Sequence, residues 1–523
     1  MNRVPLFGCL FFAVAAGCAT LRPHLGFDQV AQEVSNRSGL RVQWDTGSEA
    51  DEEVRKAVAS LLDSELTAEK AMQVALLNNR ELQAVYEELH VAQADLVQAG
   101  LLKNPVFNGD LRFATTGGGP AAELGIADDF MSLLSLPLRK GRAQAAFEAE
   151  KLCVAGIVLD LAGEVRSAFY EAQAAEQLQE MRATVLDAST ASYELAKLLR
   201  KAGNVRELDL ANERALLEQA KIDLASAETQ ALTQRERLNE LMGLWGREAK
   251  WKMAARLPEV PTEEQKPDAE LERLAVDQSL DLKIAAKRIE VDARTLGITD
   301  ATRFINEASI GISAQREVSD NRGVQSQRRR AWYDLVGEGV TNAVRREPPV
   351  WPPLNPNGAA HSYNGIWSLG PSWSLPVPIF DQGQALVASA QARLRQSVAE
   401  YFALAVRLRA RLRLASLASG AAREKAVYYQ RIILPLRHKI VDETQLQYNA
   451  MQASAFQLLQ AKRDEINSGA EYIETLRSYW LARANLDLTL NGRMARGTPR
   501  TLAMSLTGAS RDDGMDGGRD GKR

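Results

Sequence analysis

After residue 16, the 523-residue chain has no apolar run approaching the ~18 residues that a membrane-crossing helix needs. Any later crossing of a bilayer must therefore use strands. Cysteine is nearly absent: Cys9, Cys18 and Cys153 cannot build a disulfide framework, and Cys153 reads as a small apolar residue on a helix. The four histidines, His24, His90, His361 and His438, lack the spacing of metal ligands, so no metal site is expected. There is no P-loop, dinucleotide fingerprint or nucleophile elbow, and the chain reads as a non-enzyme without a cofactor. Neither sign of charge dominates, with 64 Lys+Arg against 67 Asp+Glu, which argues against a nucleic-acid partner. Aromatics make up only 6%, while Ala, Leu, Glu, Gln and Arg crowd the middle of the chain, the bias of long helices.

What is present begins at the N-terminus. Arg3 precedes an apolar run over 4–16, and Ala15-Ala16-Gly17 leads into Cys18. This resembles a bacterial lipoprotein signal, which implies removal of 1–17 and lipidation of Cys18; an ordinary secretory signal cut near Cys18 is the other reading. Ala19, rather than Asp, follows the cysteine and resembles the outer-membrane sorting pattern. Residues 18–66 are mixed and polar and read as a lead-in with little regular structure.

Beyond it the periodicity alternates. A helix is expected over 67–102, opened by Thr67 as N-cap and stopped by Asn104-Pro105. Strand spacing follows over about 106–137, with Phe107 and Leu111 on one face and a turn at 117–120 between two strands. Long helices cover 139–243, interrupted at Ala202-Gly203-Asn204, and a Pro-containing linker covers 257–267. The order then repeats over 268–496: a helix over 268–304, strands over about 307–315 and 366–377, and long helices over 382–491 that Pro435 must kink or unwind. A polar insertion fills 316–364. It holds Arg328-Arg329-Arg330, either a solvated loop or a contact for anionic lipopolysaccharide. The tail 497–523 has the composition of disorder.

Ser135-Leu136-Pro137 and Ser374-Leu375-Pro376 mark the same junction in the two halves, and Leu241-Met242-Gly243 and Leu490-Asn491-Gly492 the same helix end. The chain is thus a helix-strand-strand-helix-helix unit used twice, 67–256 and 268–496. Four strands cannot close a barrel, but three copies supply twelve, with apolar rows facing lipid and polar rows facing water. The expected fold class is mainly α with a small membrane β part and long antiparallel helical hairpins, which make either a protruding coiled hairpin or a tube wall; the resemblance given next implies a periplasmic tube.

The repeat, Leu66-Thr67-Ala68-Glu69-Lys70-Ala71, Gln98-Ala99-Gly100-Leu101-Leu102-Lys103-Asn104-Pro105 and Leu375-Pro376-Val377-Pro378-Ile379-Phe380-Asp381-Gln382-Gly383 together resemble the TolC family of outer-membrane efflux channels over 60–495. That resemblance implies a homotrimer in outer-membrane lipid, passively conducting substrates from a periplasmic adaptor and an inner-membrane RND-type transporter. It also implies that the helical turns are adaptor-docking tips, assigned to Gly203, Tyr448 and Ser454, with Asp209, Asn212, Gln457 and Gln460 where relatives narrow the tube. Arg200 and Arg206 depart from the family's tip pattern in the first turn, and Met451 stands where the second would have glycine. The rival is a non-conducting periplasmic coiled-coil lipoprotein or adaptor, from which the four amphipathic strands distinguish this chain.

Overall fold

The structure, a computed structural model, describes residues 24–112, 121–261, 268–305, 308–318 and 365–494. Cys18 and the leader expected over 1–17, the turn expected at 117–120, the arginines at 328–330 and residues 497–523 lie outside the described residues. The chain divides into a helical unit (24–90, 149–286 and 399–494) and a strand unit (91–148 and 287–398).

In the helical unit, the lead-in expected to lack regular structure instead forms two helices, α1 (Phe27–Ser38) and α2 (Glu49–Asp63). Each is anchored by only two buried apolar residues one turn apart, Val30 and Val34 in α1 and Val58 and Leu62 in α2. So few anchors leave a thin periodic signal in the sequence. Capping supplies the rest. The Asp51 carboxylate accepts from Ser48 N (2.7 Å), Thr46 N (3.0 Å) and Ser48 Oγ (3.0 Å) at the start of α2. Burial pushes its pKa up, but these donors outweigh burial and hold it at about 2.

The helix expected over 67–102 is two helices, α3 (Ala68–Asn78) and α4 (Arg80–Ala99), broken at Asn79. Thr67 caps the first by accepting from Lys70 N. The break at Asn79 has a cause outside its own sequence. Asn79 Oδ1 accepts from Leu82 N (3.0 Å), while its Nδ2 donates to Leu241 O (2.9 Å). Asn78 Nδ2 reaches the carbonyls of Met242 and Gly243. The break is therefore the seat for the end of a later helix, the one that closes at Met242.

The long helices are α5 (Phe130–Lys201) and α6 (Glu207–Met242) in the first half. The second half opens with α7 (Asp268–Gln278) and α8 (Leu280–Thr302), again broken by a capping residue, since Ser279 Oγ accepts from Leu282 N. Then come α9 (Gln384–Tyr428), a π-helical turn at Tyr429–Ile433, α10 (Leu434–Asn449) and α11 (Ala455–Leu490). Pro435 lies just beyond the π turn, the local unwinding that a proline inside a helical pattern requires.

The second break seats the end of α11 as the first seats the end of α6. Leu280 N donates to Gly492 O (2.9 Å). Gly243 and Gly492 both take left-handed φ, +68° and +95°. A Cβ on Gly243 would lie 2.9 Å from Asn78 O, and one on Gly492 2.3 Å from Gln278 O. Two clamps finish the second seat. Arg37 Nη1 donates to the carbonyls of Gln278 (2.6 Å) and Asn491 (2.9 Å). The buried Arg493 guanidinium bonds both Asp160 and Asp281. Around the first seat runs a core of Leu66, Leu76, Leu82, Tyr86, Leu238 and Met242, all under 2% exposed.

In the strand unit, β1 (Val106–Arg112), β2 (Ala121–Asp129), β3 (Ser309–Val318) and β4 (Gly365–Ser374) form one antiparallel sheet in the order β1-β2-β3-β4. The second strand was expected to reach residue 137 with the helix following at 139. It ends at Asp129, and Phe130, Leu134 and Leu136 lie on helix, with Pro137 inside α5 rather than ending a strand. Asp129 switches the structure: its Oδ1 accepts from Met131 N (3.1 Å) and Ser132 N (3.3 Å), and its carbonyl accepts from Ser132 Oγ (2.6 Å). That cap outranks the apolar alternation read from the sequence.

Alanine at position 492 should destabilise the purified protein by about 2 kcal/mol or more, through left-handed strain plus backbone overlap. Gly246→Ala, at φ +63° with nothing within 4 Å, is the control and should cost less. Equal shifts in unfolding midpoint for the two variants would refute the seat.

Candidate functional sites: a two-faced sheet and two capped turns

The sheet register sorts side chains by polarity across all four strands. Phe107, Ile126, Ile312 and Pro371 lie in one row, and Gly109, Leu124, Ala314 and Leu369 in the next. Trp373 and Asp128 flank Ile310 on the same face, so this row carries one charge, and Arg316 lies on that face opposite Trp367. The other face holds Asn108, Gly125, Ser313 and Gly370 in one row and Asp110, Glu123, Gln315 and Ser368 in the next. On that polar side Arg112 Nη2 lies 3.7 Å from Glu123 Oε2 and 4.0 Å from Asp110 Oδ2.

Among the described residues nothing covers the apolar face. Leu369 and Trp373 are each 77% exposed and Phe107 66%. Among the described residues, the outer edges of β1 and β4 have no strand partner. An exposed apolar sheet face with open edges is unstable in water as a monomer. The helices also leave apolar side chains uncovered, among them Leu208, Ile222 and Leu232 on α6 and Phe402, Val406 and Leu414 on α9. Among the described residues no helix is long and apolar enough to cross a membrane.

The two turns between long helices share one hydrogen-bond pattern. In the first, Gly203 N donates to Arg200 O (3.0 Å) and Asn204 N to Leu199 O (2.9 Å). In the second, Met451 N donates to Tyr448 O (2.9 Å) and Gln452 N to Gln447 O (2.8 Å). Gly203 has φ +77° and Met451 φ +58°, so methionine occupies the left-handed position that glycine holds in the first turn.

The two turns differ in how the next helix begins: the second has a reciprocal cap, the first an ion pair. Ser454 Oγ accepts from Gln457 N (3.3 Å) while Ser454 N donates to Gln457 Oε1 (2.8 Å). In the first turn Arg206 occupies the cap position and its guanidinium grips Asp209 through Nε (3.0 Å) and Nη2 (3.1 Å). That ion pair draws the Asp209 pKa below, and the Arg206 pKa above, their ordinary values. The seven residues expected at tips therefore fall at two turns: Gly203, Asp209 and Asn212 at one, and Tyr448, Ser454, Gln457 and Gln460 at the other. Asp209 pairs with Arg206, Gln457 is the cap partner of Ser454, Gln460 Nε2 donates to Asp464 Oδ1 (2.8 Å), and Asn212 is exposed.

Just beyond Asn212 and Gln460 the two hairpins are tied by a buried polar group that periodicity does not reveal. Ser192 Oγ donates to Glu213 Oε2 (2.5 Å), and Arg463 Nη2 lies 3.8 Å from Glu213 Oε1. Arg463 Nε and Nη1 are buried without a hydrogen-bond partner among the described residues. A buried charge held by one long contact is far more costly to leave alone than to remove with its partner. We expect Arg463→Ala to lower stability by about 3 kcal/mol, and the double replacement Glu213→Leu with Arg463→Leu to stay within about 1 kcal/mol of the parent. Equal losses in denaturant unfolding for the single and double variants would show that the two groups do not interact.

No protein-family model matches the chain. In sequence it is similar to the cobalt-zinc-cadmium resistance protein CzcC of Cupriavidus metallidurans, 22% identical over 431 residues that cover 81% of this chain and 90% of that protein. In structure it is similar to the Campylobacter jejuni CmeC outer-membrane channel, with TM-score 0.61 and 15% identity over 82% of this chain and 86% of CmeC. It is also similar to the open-state Neisseria gonorrhoeae MtrE outer-membrane channel, with TM-score 0.59 and 17% identity over 83% of this chain and 91% of MtrE. The polarity-sorted sheet, the twice-used helix seat and the paired capped turns thus belong to a chain with the TolC-like fold of outer-membrane channels.

Proposed function

We propose that this protein is the outer-membrane channel of a tripartite efflux system. The observation that carries the reading is the uncovered apolar sheet face with two open edges. Three copies joined edge to edge supply twelve strands, closing every backbone hydrogen bond and turning the apolar rows to lipid. The polar rows, with Asp110, Arg112 and Glu123, then line a water-filled lumen. The uncovered apolar side chains of α6 and α9 fit burial between copies, and the helical hairpins form the periplasmic part of the conduit. Conduction is passive. A periplasmic adaptor docking at the turns and an inner-membrane RND-type transporter supply the substrate and the energy.

Lipidation at Cys18 after removal of 1–17 secures the N-terminus in the outer membrane. CzcC is by its name a cobalt-zinc-cadmium resistance protein, which makes divalent metal cations the first cargo to test. A non-conducting coiled-coil lipoprotein or adaptor has no use for an apolar face of this extent on an open sheet.

Purified protein in detergent should run as a trimer and produce discrete conductance steps in planar bilayers. A monomer without conductance returns the chain to the non-conducting reading. Separately, cells making the Cys18→Ser variant should lose metabolic palmitate labelling of this protein, and undiminished labelling removes the anchor.

A further inference from the structure

Met451 is held in a conformation that disfavours every residue except glycine, and the fold makes no use of its side chain. Its φ is +58°, and among the described residues His24 is the other non-glycine residue with positive φ. Left-handed backbone costs an L-residue about 1–2 kcal/mol. Among the described residues no packing on the thioether offsets that cost, because Met451 is 93% exposed. Nor is the turn loose enough to relax. Met451 N, Gln452 N and Ala453 N are all bonded to carbonyls of Gln447 and Tyr448, and the Ser454–Gln457 cap locks the following helix. Strain that persists in a rigid, well-bonded turn points to a use outside the chain.

The chemistry around Met451 identifies that use. From Thr444 to Ala461, 18 residues, no side chain is charged. The matching window at the first turn, 196–213, holds seven charged residues: Lys197, Arg200, Lys201, Arg206, Glu207, Asp209 and Glu213. Beside Met451, Leu446 is 62% and Tyr448 41% exposed. The flanking amides of Gln447 and Gln452 are also exposed.

We infer that the second turn is an uncharged anchor whose key is Met451, seated in an apolar, uncharged socket on a protein partner, whereas the first turn meets its surroundings through charge. A methionine side chain suits such a socket because it is unbranched and polarisable. Hydrocarbon is excluded as the occupant, since the exposed amides around Met451 require hydrogen-bond partners that a lipid interior lacks. This inference rests on the channel reading and adds to it a residue and a division of labour between the two turns.

The test uses the full-length protein in the bacterium that makes it, with the photo-cross-linking residue p-benzoylphenylalanine replacing Gln452 and adducts identified by mass spectrometry. With Met451 present, an adduct to one protein other than this chain is expected. Met451→Leu should keep its yield, while Met451→Gly and Met451→Gln should lower it roughly tenfold or more, as removal of an interface anchor does. The purified Met451→Gly protein should meanwhile melt higher, by roughly 1–3 °C, because glycine relieves the strain. A variant that is more stable yet binds less separates a docking residue from a structural one. The inference is overturned by no adduct, by adducts only with lipid or another copy of this chain, or by equal yields from Met451 and Met451→Gly. Conductance of the purified protein is independent of any partner, so a conducting trimer without the adduct sinks the anchor alone, and a silent protein with the adduct sinks the channel alone.

Discussion

Among the described residues the outer edges of β1 and β4 have no strand partner, and backbone amides left open in that way would find no water to bond in hydrocarbon. The sheet cannot hide its apolar face either, because the register places Phe107, Ile126, Ile312 and Pro371 on one side of all four strands. The two requirements have a common solution in closure by further copies inside a membrane. From this follow the proposed trimer, the polar rows around Asp110 and Glu123 as a lumen, and the need for long helices to carry the conduit away from the bilayer.

In the helical unit the corresponding constraint is the seating of a returning helix on a broken one. Asn79 and Ser279 are capping residues that interrupt their helices, and Gly243 and Gly492 are glycines because a Cβ there would strike a carbonyl. The two seats share a geometry but not their reinforcement. The first is packed in apolar residues and held by the Asn78 and Asn79 amides, whereas the second is clamped by Arg37 and Arg493. Duplication preserved the backbone solution and let the side chains diverge.

The turns show the same divergence where it bears on function. One hydrogen-bond pattern is built once on Gly203 with arginines at the flanks and once on Met451 with none. Because the backbone is shared, the difference lies wholly in what each turn presents to its surroundings: a charged rim in one case, an apolar knob among amides in the other.

Periodicity alone was enough to read the four strands, the long helices and the twice-used order of elements. Side-chain alternation at period 2 or 3.6 is a local property that survives without a structure. It failed where non-local contacts or short capped segments decide. The lead-in helices α1 and α2 each hang on two apolar anchors. Asp129 ended β2 eight residues before the apolar pattern did, through bonds from Met131 and Ser132. The two helical turns were legible by analogy of motif, but not that Asp209 pairs with Arg206 or that Gln457 caps through Ser454. Nor could the Glu213–Arg463 tie be read, since it joins residues 250 positions apart. By itself the sequence determined which faces are apolar and that the plan is used twice, because those follow from residue order. Tertiary structure decided where helices break, which glycines are obligatory and that Met451 carries glycine's backbone, because each depends on atoms brought together from distant parts of the chain or held in a turn that residue order does not disclose.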